Sequence, residues 1–503
     1  MSRSLQSLAH LRPLPLDFDV CYRALCSRDA RFDGQFFTAV TSTGIYCRPI
    51  CPAPTPKAAH VRFYACAAAA EADGFRACRR CRPEASPGSP DWNIRADLVA
   101  RTLRLIAEGI IDTEGVAGLA QRLAVSERHL HRELMAEVGV GPLALARTRR
   151  AQTARLLIDE TNLALTEIAF ASGFASLRQF NETMRATFGC PPSALRRRGR
   201  PENPGGGGLT VRLQYRPPFD AEALLAFLGQ RALAGVEEVS AGRYRRTVAL
   251  PRSTGIVELE PNRATQEIVM HLWLTDLRDV SLLVQRCRHL LDLDSEPTTI
   301  AGQLSADPLL ASLVARRPGL RVPGTLNGFE LAVRAIIGQH VSIAGARTLV
   351  GRLVQALGEP LPRPVDTLTH LFPAPERMAQ ANLQALGLTA RRATALRALA
   401  EGVATGAIVL DRGADRTQTV TKLLAVPGIG SWTAAYIALR ALGDPDAFPA
   451  TDLGLHHALE QGGCALSPCG LAARAEAWRP WRSYAVMHFW TSLTDQRETR
   501  LPS

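Results

Sequence analysis

The alternation of apolar and polar positions predicts a small α+β region in the middle of the chain. Residues Leu209–Tyr215 place an apolar side chain at every second position, which is typical of a strand with one buried face. Three more segments have strand character, and two nearby segments have the apolar spacing of helices. The predicted strands are Tyr244–Leu250, Gly255–Leu259 and Glu267–Leu274, and the predicted helices are Ala221–Arg231 and Val280–Leu291.

Helical patterns cover most of the remaining chain. Two segments each consist of a short helix, a turn and a second helix, and their second helices are predicted at Glu127–Glu137 and Arg178–Phe188. A long helix at about Pro142–Leu157 lies between them. From Gly328 onward the pattern is helical, including Phe329–Leu357. The fold class is therefore predicted to be multidomain and mainly α, with α+β parts.

Proline- and glycine-rich segments mark the predicted domain boundaries. Pro83–Pro90 reads PEASPGSP, and Pro201–Gly208 reads PENPGGGG after a run of arginines. The second of these segments is a glycine-rich coil that spans about 15–20 Å, so it connects the flanking domains without fixing their relative orientation. The predicted domains are 15–84, 91–198, a linker at 199–208, 209–300 and 301–498.

Charge and composition limit the classes of partner. The chain has 503 residues and a formal net charge of +12, which favours polyanions such as nucleic acid or a membrane surface. The N-terminal segment has no apolar signal core and no membrane-length apolar run occurs, so we expect a cytoplasmic protein with no membrane partner. Eleven cysteines in that compartment indicate metal binding or reactive thiols rather than disulfides.

Four of the cysteines have the spacing of a zinc site. Cys47 and Cys51 form a C-x3-C pair, and Cys78 and Cys81 form a C-x2-C pair. Four thiolates at such spacings can close a tetrahedral Zn²⁺ site. The alternative is four unrelated buried cysteines.

The sequence around these cysteines resembles the metal-binding domain of the Ada family. The resemblance is carried by the words TGIYCRP at Thr43–Pro49 and GFRAC at Gly74–Cys78. It implies that Cys47 is both a zinc ligand and the acceptor of a methyl group from a DNA methylphosphotriester, with Cys51, Cys78 and Cys81 as the other ligands. Methylation of Cys47 would make the site less negative and raise its affinity for DNA, once per molecule.

The two predicted helix-turn-helix units resemble those of AraC-type regulators, whose second helices enter the major groove. The resemblance implies binding to promoter DNA, and an activator would also contact RNA polymerase. A plain helical bundle and solvated surface residues are the alternatives. The candidate groove residues are Arg128, His129, Arg132, Arg178 and Gln179.

The segment Leu423–Asp452 contains a Pro-Gly-Ile-Gly turn between two predicted helices and ends in a carboxylate. Gly428 and Gly430 leave backbone N–H groups unobstructed before a helix, which makes an anion site suited to a DNA phosphate. We expect Ser431 to cap that helix. Trp432 and Tyr436 share one helix face because they are four residues apart. The bland alternative is an ordinary turn, a capping aspartate and two core aromatics.

This combination resembles the helix-hairpin-helix DNA glycosylases, in particular the alkylbase (AlkA) branch. The resemblance implies an all-α core preceded by the small antiparallel-sheet domain at 209–300. It further implies that Asp452 is catalytic and that Trp432, Tyr436 and Trp490 bind the extruded base. His340 holds the position of an apolar wedge in that branch. A surface histidine, or a core role for Trp490, is the alternative.

The resemblances together imply a DNA alkylation-repair enzyme fused to an alkylation-responsive regulator, acting on double-stranded DNA at the bacterial nucleoid. Trp432 stands where bifunctional relatives carry a lysine, so a monofunctional hydrolase is expected. Besides zinc, an alkali cation on the carbonyls of Leu424, Val426 and Gly428 is an optional cofactor. Two thiols, Cys464 and Cys469, are too few for an iron–sulfur cluster. The alternative function is a transcription regulator whose glycosylase-like half only holds DNA.

Overall fold

The computed structural model describes residues 17–83, 97–196, 208–464 and 466–500. Contacts divide the chain into two compact units, Met1–Arg216 with Asp276–Gln285, and Pro217–Thr275 with Arg286–Ser503. Of the linkers predicted at Pro83–Pro90 and 199–208, all residues except Pro83 and Gly208 lie outside the described residues.

Six elements precede the first gap and form the thiol-bearing domain. Its strands have the order β3-β1-β2-β4, in which β1 pairs antiparallel with β2 and β3 while β4 joins β2 in parallel. The elements are α1 Phe18–Ser27, β1 Phe37–Val40, β2 Ile45–Cys47, β3 Val61–Tyr64, α2 Ala67–Ala72 and β4 Arg76–Ala77.

A helical bundle and one strand follow before residue 216. Helices α5 and α8 begin after Ser126 and Ser176, whose hydroxyls accept hydrogen bonds from the backbone N–H groups of His129 and Gln179. Pro142 stands in the first turn of α6, where its missing N–H costs nothing. The elements are α3 Asp97–Glu108, α4 Ile110–Arg122, α5 Glu127–Glu137, α6 Pro142–Glu160, α7 Leu165–Ala171, α8 Leu177–Phe188, α9 Pro192–Leu195 and β5 Leu209–Gln214.

The rest of the chain contains an antiparallel meander followed by helices. Strands β6 to β9 pair in chain order, each antiparallel to the next. The elements are α10 Ala221–Gln230, β6 Glu237–Ser240, β7 Arg243–Ala249, β8 Thr254–Asn262, β9 Glu267–Leu274, α11 Val280–Leu290, α12 Pro297–Leu304, α13 Pro308–Arg316, α14 Gly328–Ile337, α15 Ile343–Leu357, β10 Pro360–Val365, β11 Leu368–His370, α16 Pro375–Gln380, α17 Ala390–Ala404, α18 Arg416–Leu424, α19 Ser431–Arg440, α20 Leu453–Gln461, α21 Pro468–Ala475 and α22 Arg482–Arg500.

One apolar cluster holds together helices α14 to α19 of the second unit. Helix α14 is buried along almost its whole length, and it packs with α17 and α19 around Val333, Leu396 and Ile437. Burial of such side chains contributes about 1.5–3 kcal/mol each, which fixes α19, the helix that carries Trp432 and Tyr436.

The predicted fold class is confirmed: the chain is multidomain and mainly helical, with small sheets. Among the strands of the second unit, two features were not predicted. Strand β6 is too short to give a clear alternation, and the hairpin β10–β11 interrupts the region after Gly328 that was predicted to be helical. Its first strand reads PLPRPV, and prolines weaken any strand prediction. None of the helices in the described residues is both long and apolar enough to cross a bilayer.

A buried ion network joins the meander to α14. Arg246 donates to Glu330 over 2.6 Å, Arg334 donates to both Glu330 and Glu237, and Tyr244 donates to Glu237 over 2.5 Å. The side chains of Glu237, Arg246 and Glu330 are 4%, 6% and 2% exposed. Burial raises the pKa of the Glu330 carboxyl, but the charges of Arg246 and Arg334 outweigh it and hold that pKa below its ordinary value.

We predict that Glu330→Gln lowers the free energy of unfolding of the second unit by about 3–5 kcal/mol, because it leaves two buried guanidinium groups short of a charge partner. The measurement is urea denaturation of the full chain. Glu222→Gln is the matched control, since its pair with Arg263 is exposed and contributes at most about 1 kcal/mol. Equal midpoints for both variants would contradict the prediction.

Candidate active site and metal centre

The glycine turn before α19 joins the end of α18 to an exposed helix N-terminus. Helix α18 ends at Leu424, and Gly428 adopts a φ of 93°, a left-handed conformation that L side chains rarely adopt. Gly430, not Ser431, is the residue that caps α19, so the prediction for Ser431 was wrong. Ser431 is already helical, so its hydroxyl does not cap that helix end.

Gly430 has no structural need to be a glycine. Its φ is −94°, and a Cβ atom built there would meet nothing within 4 Å. The residue is exposed at the N-terminus of a ten-residue helix, where backbone N–H groups and the helix dipole favour an anion. Because Gly430 has no side chain, the space in front of this helix N-terminus stays open.

Three aromatic side chains from two helices pack against one another in one group. Trp432 and Tyr436 of α19 lie with their ring centroids 5.4 Å apart and nearly parallel, at 16°. Trp490 of α22 lies 5.9 Å from Tyr436. All three are partly buried, so they keep accessible surface.

Asp452 is fixed by three N–H donors. Its Oδ2 accepts from the indole N–H of Trp432 over 2.6 Å, and its Oδ1 accepts from the indole N–H of Trp490 over 2.9 Å. As the N-cap of α20, Oδ1 also accepts from the backbone N–H of Leu455 over 2.8 Å. The residue is only 7% exposed, and no cationic side chain is among these partners.

The carboxylate and the three aromatic residues line one cavity of about 370 Å³. Gly454 also lines it, and a Cβ atom there would come within 2.9 Å of Asp452 Oδ1 and 3.4 Å of the Trp490 indole. A side chain at Gly454 would therefore displace the carboxylate or the ring that holds it.

Arginines surround the hydroxyl of Tyr436. Arg440, one turn further along α19, donates to Tyr436 Oη over 2.8 Å and to the carbonyl oxygens of Pro323 and Gly324. Burial raises the pKa of Tyr436, but the charges of Arg440 and Arg231 outweigh it, so the pKa lies below its ordinary value.

His340 lies on the loop between α14 and α15 and is exposed. Its φ of 55° is unusual for a residue with a side chain, and such conformations persist only where neighbours enforce them. The neighbour Gln339 donates to the carbonyl of Gly428 over 3.1 Å and to the hydroxyl of Thr433 over 2.7 Å. This side chain ties the His340 loop to the glycine turn.

The four thiols of Cys47, Cys51, Cys78 and Cys81 converge in the first unit. Strands β2 and β4 pair in parallel with Tyr46 opposite Ala77, so the cysteine that follows each of these residues emerges at the same end of the sheet. The four sulfur atoms lie within 4.8 Å of one another.

The donor set fits a zinc ion. The Sγ atoms of Cys51 and Cys78 are 4.0 Å apart, and all four cysteines are free. That separation is near the roughly 3.8 Å edge of a tetrahedron with Zn–S bonds of about 2.3 Å, and far beyond the roughly 2.05 Å of a disulfide. The backbone N–H of Arg48 donates to Cys81 Sγ over 3.3 Å, and its buried guanidinium pairs with Asp33.

Two cysteines outside this group, Cys21 and Cys66, have the character of structural residues. Burial raises the pKa of Cys66 to about 11, and burial together with the charge of Asp17 raises that of Cys21 to about 12. Both are therefore thiols rather than nucleophilic thiolates at neutral pH. Cys26 is exposed and lies outside the group.

The candidate groove residues lie near the N-terminal ends of α5 and α8. Arg128, Arg132 and Arg178 are exposed. Arg132 contacts His129 over 2.6 Å, Arg178 donates to Glu182 over 2.9 Å, and Gln179 accepts from the backbone N–H of Ala175. The arginines are therefore accessible, whereas the side chain of Gln179 is hydrogen-bonded to the backbone at the N-terminus of α8.

Sequence reasoning missed several residues of the site. Arg440 had a usable signal, because it continues the i, i+4 series from Trp432 and Tyr436. Arg231, Gln339 and Gly454 had none, because their neighbours in the structure are distant in sequence or depend on side-chain direction.

Four family models match the chain. The metal binding domain of Ada matches residues 20–84, and a helix-turn-helix domain matches residues 119–198. The AlkA N-terminal domain matches residues 210–327, and the HhH-GPD superfamily of base excision DNA repair proteins matches residues 333–482.

Three curated proteins are similar to different extents of the chain. DNA-3-methyladenine glycosylase 2 of Escherichia coli is 36% identical over 55% of this chain and 95% of its own length. The bifunctional transcriptional activator/DNA repair enzyme Ada of Escherichia coli is 33% identical over 39% of this chain and 51% of its own length. The probable bifunctional transcriptional activator/DNA repair enzyme AlkA of Mycobacterium tuberculosis is 49% identical over 95% of this chain and 97% of its own length. The chain therefore belongs to the family of AlkA-type bifunctional transcriptional activators and DNA repair enzymes.

Proposed function

We propose that the second unit hydrolyses the N-glycosidic bond of alkylated bases in double-stranded DNA, with 3-methyladenine as the type substrate. The observation that carries the proposal is the Asp452 carboxylate, which two indoles and a helix N-terminus hold in an aromatic-lined cavity. A base inside a duplex is out of reach, so the nucleotide must first be flipped out at a cost of a few kcal/mol.

The chemistry follows from the charge of the carboxylate. Alkylation at N3 or N7 makes the purine cationic and hence a good leaving group. As the bond to the base breaks, the deoxyribose becomes positively charged, and a carboxylate about 4 Å away stabilises that charge by roughly 4 kcal/mol at an effective dielectric constant of 20.

The hydrogen bonds of Asp452 restrict how else it can act. Oδ1 already accepts two bonds and Oδ2 accepts one, so a carboxylate with about four acceptor positions keeps one, on Oδ2. That position can face the sugar or orient the attacking water. No lysine lines the cavity among the described residues, which supports a monofunctional hydrolase.

We propose that the turn at Gly428–Gly430 holds a DNA phosphate and that His340 enters the space left by the flipped nucleotide. The clear space at Gly430 and the Gln339 link between turn and loop support both roles. An alkali cation on the carbonyls of Leu424, Val426 and Gly428 belongs to the same proposal. The carbonyl of Gly428 already accepts from Gln339 and has one lone pair left.

We propose that the first unit is a single-use methyl acceptor and transcription regulator. Cys47, Cys51, Cys78 and Cys81 would hold Zn²⁺, which keeps thiolates deprotonated and offsets part of their charge. Cys47 Sγ attacks the methyl carbon of a phosphotriester. The S–C bond forms while the C–O bond breaks, and the phosphate leaves as the diester anion.

The switch proposed for this unit is electrostatic. A methylated Cys47 is a neutral thioether. The four-cysteine site therefore carries one negative charge less and repels DNA phosphates less strongly. The exposed Arg128, Arg132 and Arg178, with His129 and Gln179, would meet promoter DNA, and an activator would also contact RNA polymerase. Such a protein would work at the bacterial nucleoid.

We predict that Asp452→Asn lowers the rate of 3-methyladenine release from methylated duplex DNA roughly a thousandfold, the equivalent of about 4 kcal/mol. Single-turnover base release, followed by chromatography, is the measurement. Asparagine keeps an acceptor for the backbone N–H of Leu455, so α20 should remain capped. Glu460→Gln, an exposed change on the same helix, is the control and should keep the wild-type rate. Equal release by Asp452→Asn and wild type would favour the alternative of a regulator with an inert glycosylase-like half.

We predict that Gly430→Ala folds normally but binds duplex DNA containing an abasic analogue roughly tenfold more weakly. The added methyl group meets no protein atom, but it would stand between the backbone N–H groups and a phosphate, at a cost of about 1.5 kcal/mol. Fluorescence anisotropy measures the affinity. Gly302→Ala also places a methyl group in open space and should leave the affinity unchanged. If Gly430→Ala bound this DNA with wild-type affinity, the turn would not contact the DNA.

We predict that incubation with methylphosphotriester DNA adds the mass of one methylene group to the peptide containing Cys47 and raises DNA affinity roughly fivefold, the equivalent of about 1 kcal/mol. Peptide mass spectrometry and binding assays before and after the reaction are the measurements, on protein whose zinc content has been determined. Cys47→Ser should take up no methyl group, whereas the exposed Cys469→Ser should behave as wild type. If Cys47 were methylated without a change in DNA affinity, the first unit would have a repair function but the proposed electrostatic switch would be wrong.

A further inference from the structure

The loop between α14 and α15 carries an imidazole where the backbone conformation favours glycine. His340 has a φ of 55°, a left-handed conformation that glycine adopts most easily, as Gly428 does in the turn before α19. Two residues beside it in the loop, Gly338 and Val341, line the cavity that contains Asp452, while His340 itself is exposed. The imidazole therefore stands at the rim of the cavity, and its backbone conformation persists only because other groups hold it.

The side chain of Gln339 ties this loop to the turn and to α19. Its amide nitrogen has two N–H groups, which donate to the carbonyl oxygen of Gly428 over 3.1 Å and to the hydroxyl of Thr433 over 2.7 Å. Thr433 is 2% exposed, so this contact is anchored in the interior of the unit. These bonds fix the position of Gln339, but they do not set the orientation of the peptide group between Gln339 and His340.

Arg392 holds that peptide group. Its guanidinium donates to the backbone carbonyl oxygen of Gln339 from the first turn of α17, 53 residues away in the sequence. This oxygen lies in the same rigid plane as the backbone nitrogen of His340, so a hydrogen bond to it restrains the plane about which His340 turns. Because the donor is charged, the bond is stronger than one between neutral groups.

Helix α17 gives Arg392 a rigid support. A Cβ atom built on Gly428 would lie 3.1 Å from Ala395 Cβ and 3.9 Å from the carbonyl oxygen of Arg391, so the beginning of α17 packs closely on the glycine turn. Ala395 is 1% exposed, and Leu396 belongs to the apolar cluster that includes α14. Arg392 itself is only partly buried, so its replacement should leave this packing intact.

We propose that Arg392 is a positioning residue for His340 in base flipping. The inference rests on the proposed function, in which His340 enters the space left by the flipped nucleotide. Extrusion of the base already costs a few kcal/mol, and a loop that had to reorganise at the same time would add to that cost. Arg392 holds the loop in the required arrangement beforehand. It acts on the reaction through His340, without contact to the base or the sugar.

The test is a double-mutant cycle on the full chain, with single-turnover release of 3-methyladenine from methylated duplex DNA as the measurement. At saturating protein, this rate constant does not depend on the fraction of active protein. Arg392→Met should lower it roughly tenfold, as expected for the loss of a charged hydrogen bond, and Arg392→Lys should restore part of it. In a His340→Ala background, Arg392→Met should cause no further loss, because no imidazole is left to position.

Arg397→Met is the matched control, because Arg397 is an exposed arginine further along the same helix, and its rate should equal that of wild type. A wild-type rate in Arg392→Met, or an equal loss in both backgrounds, would overturn the proposal for Arg392 and leave the glycosylase function standing. A wild-type rate in His340→Ala would overturn the role proposed for His340 and, with it, that of Arg392. Failure of the wild-type protein to release the base would overturn the proposed function itself.

Discussion

The hydrogen bonds that two tryptophan indoles make to Asp452 are the interaction on which the candidate active site depends. Trp432 comes from α19, Trp490 from α22, and the carboxylate itself caps α20. The position of the carboxylate therefore depends on the correct packing of three helices. The buried cluster around α14 supplies that rigidity for α19, and α20 packs directly on α22. Preorganisation of this kind is what makes an electrostatic contribution to catalysis large.

Both carboxylates and arginines line the same cavity, and they have different roles. In the proposed reaction, the carboxylate of Asp452 faces a sugar that becomes positive as the base leaves. Arg440 donates to the hydroxyl of Tyr436, and the charges of Arg440 and Arg231 lower the pKa of that hydroxyl. The sequence-based expectation was an aromatic pocket that binds the extruded base. The arginines were not part of that expectation, and they add positive charge to the lining of the cavity.

The parts of the site that sequence reasoning predicted depend on local spacing. Trp432 and Tyr436 share a helix face by the helical repeat, and the cysteine pairs follow strand ends that the chain brings side by side. The unpredicted parts depend on contacts between distant segments. Gln339 reaches the carbonyl of Gly428 from 89 residues away, and the indole of Trp490 reaches Asp452 from 38 residues away. Ser431 failed as a cap for a local reason, since the helix begins one residue earlier than the serine signal indicated.

The central claim is that the Asp452 carboxylate stabilises positive charge on the sugar. Its most direct test compares the affinity of the full chain for two DNA duplexes, one with a cationic pyrrolidine in place of the deoxyribose and one with the neutral tetrahydrofuran analogue. Transition-state mimics bind more tightly where the protein complements the developing charge. The account predicts a marked preference for the cationic duplex in wild type and its loss in Asp452→Asn. Equal affinity of the wild-type protein for both duplexes would contradict it.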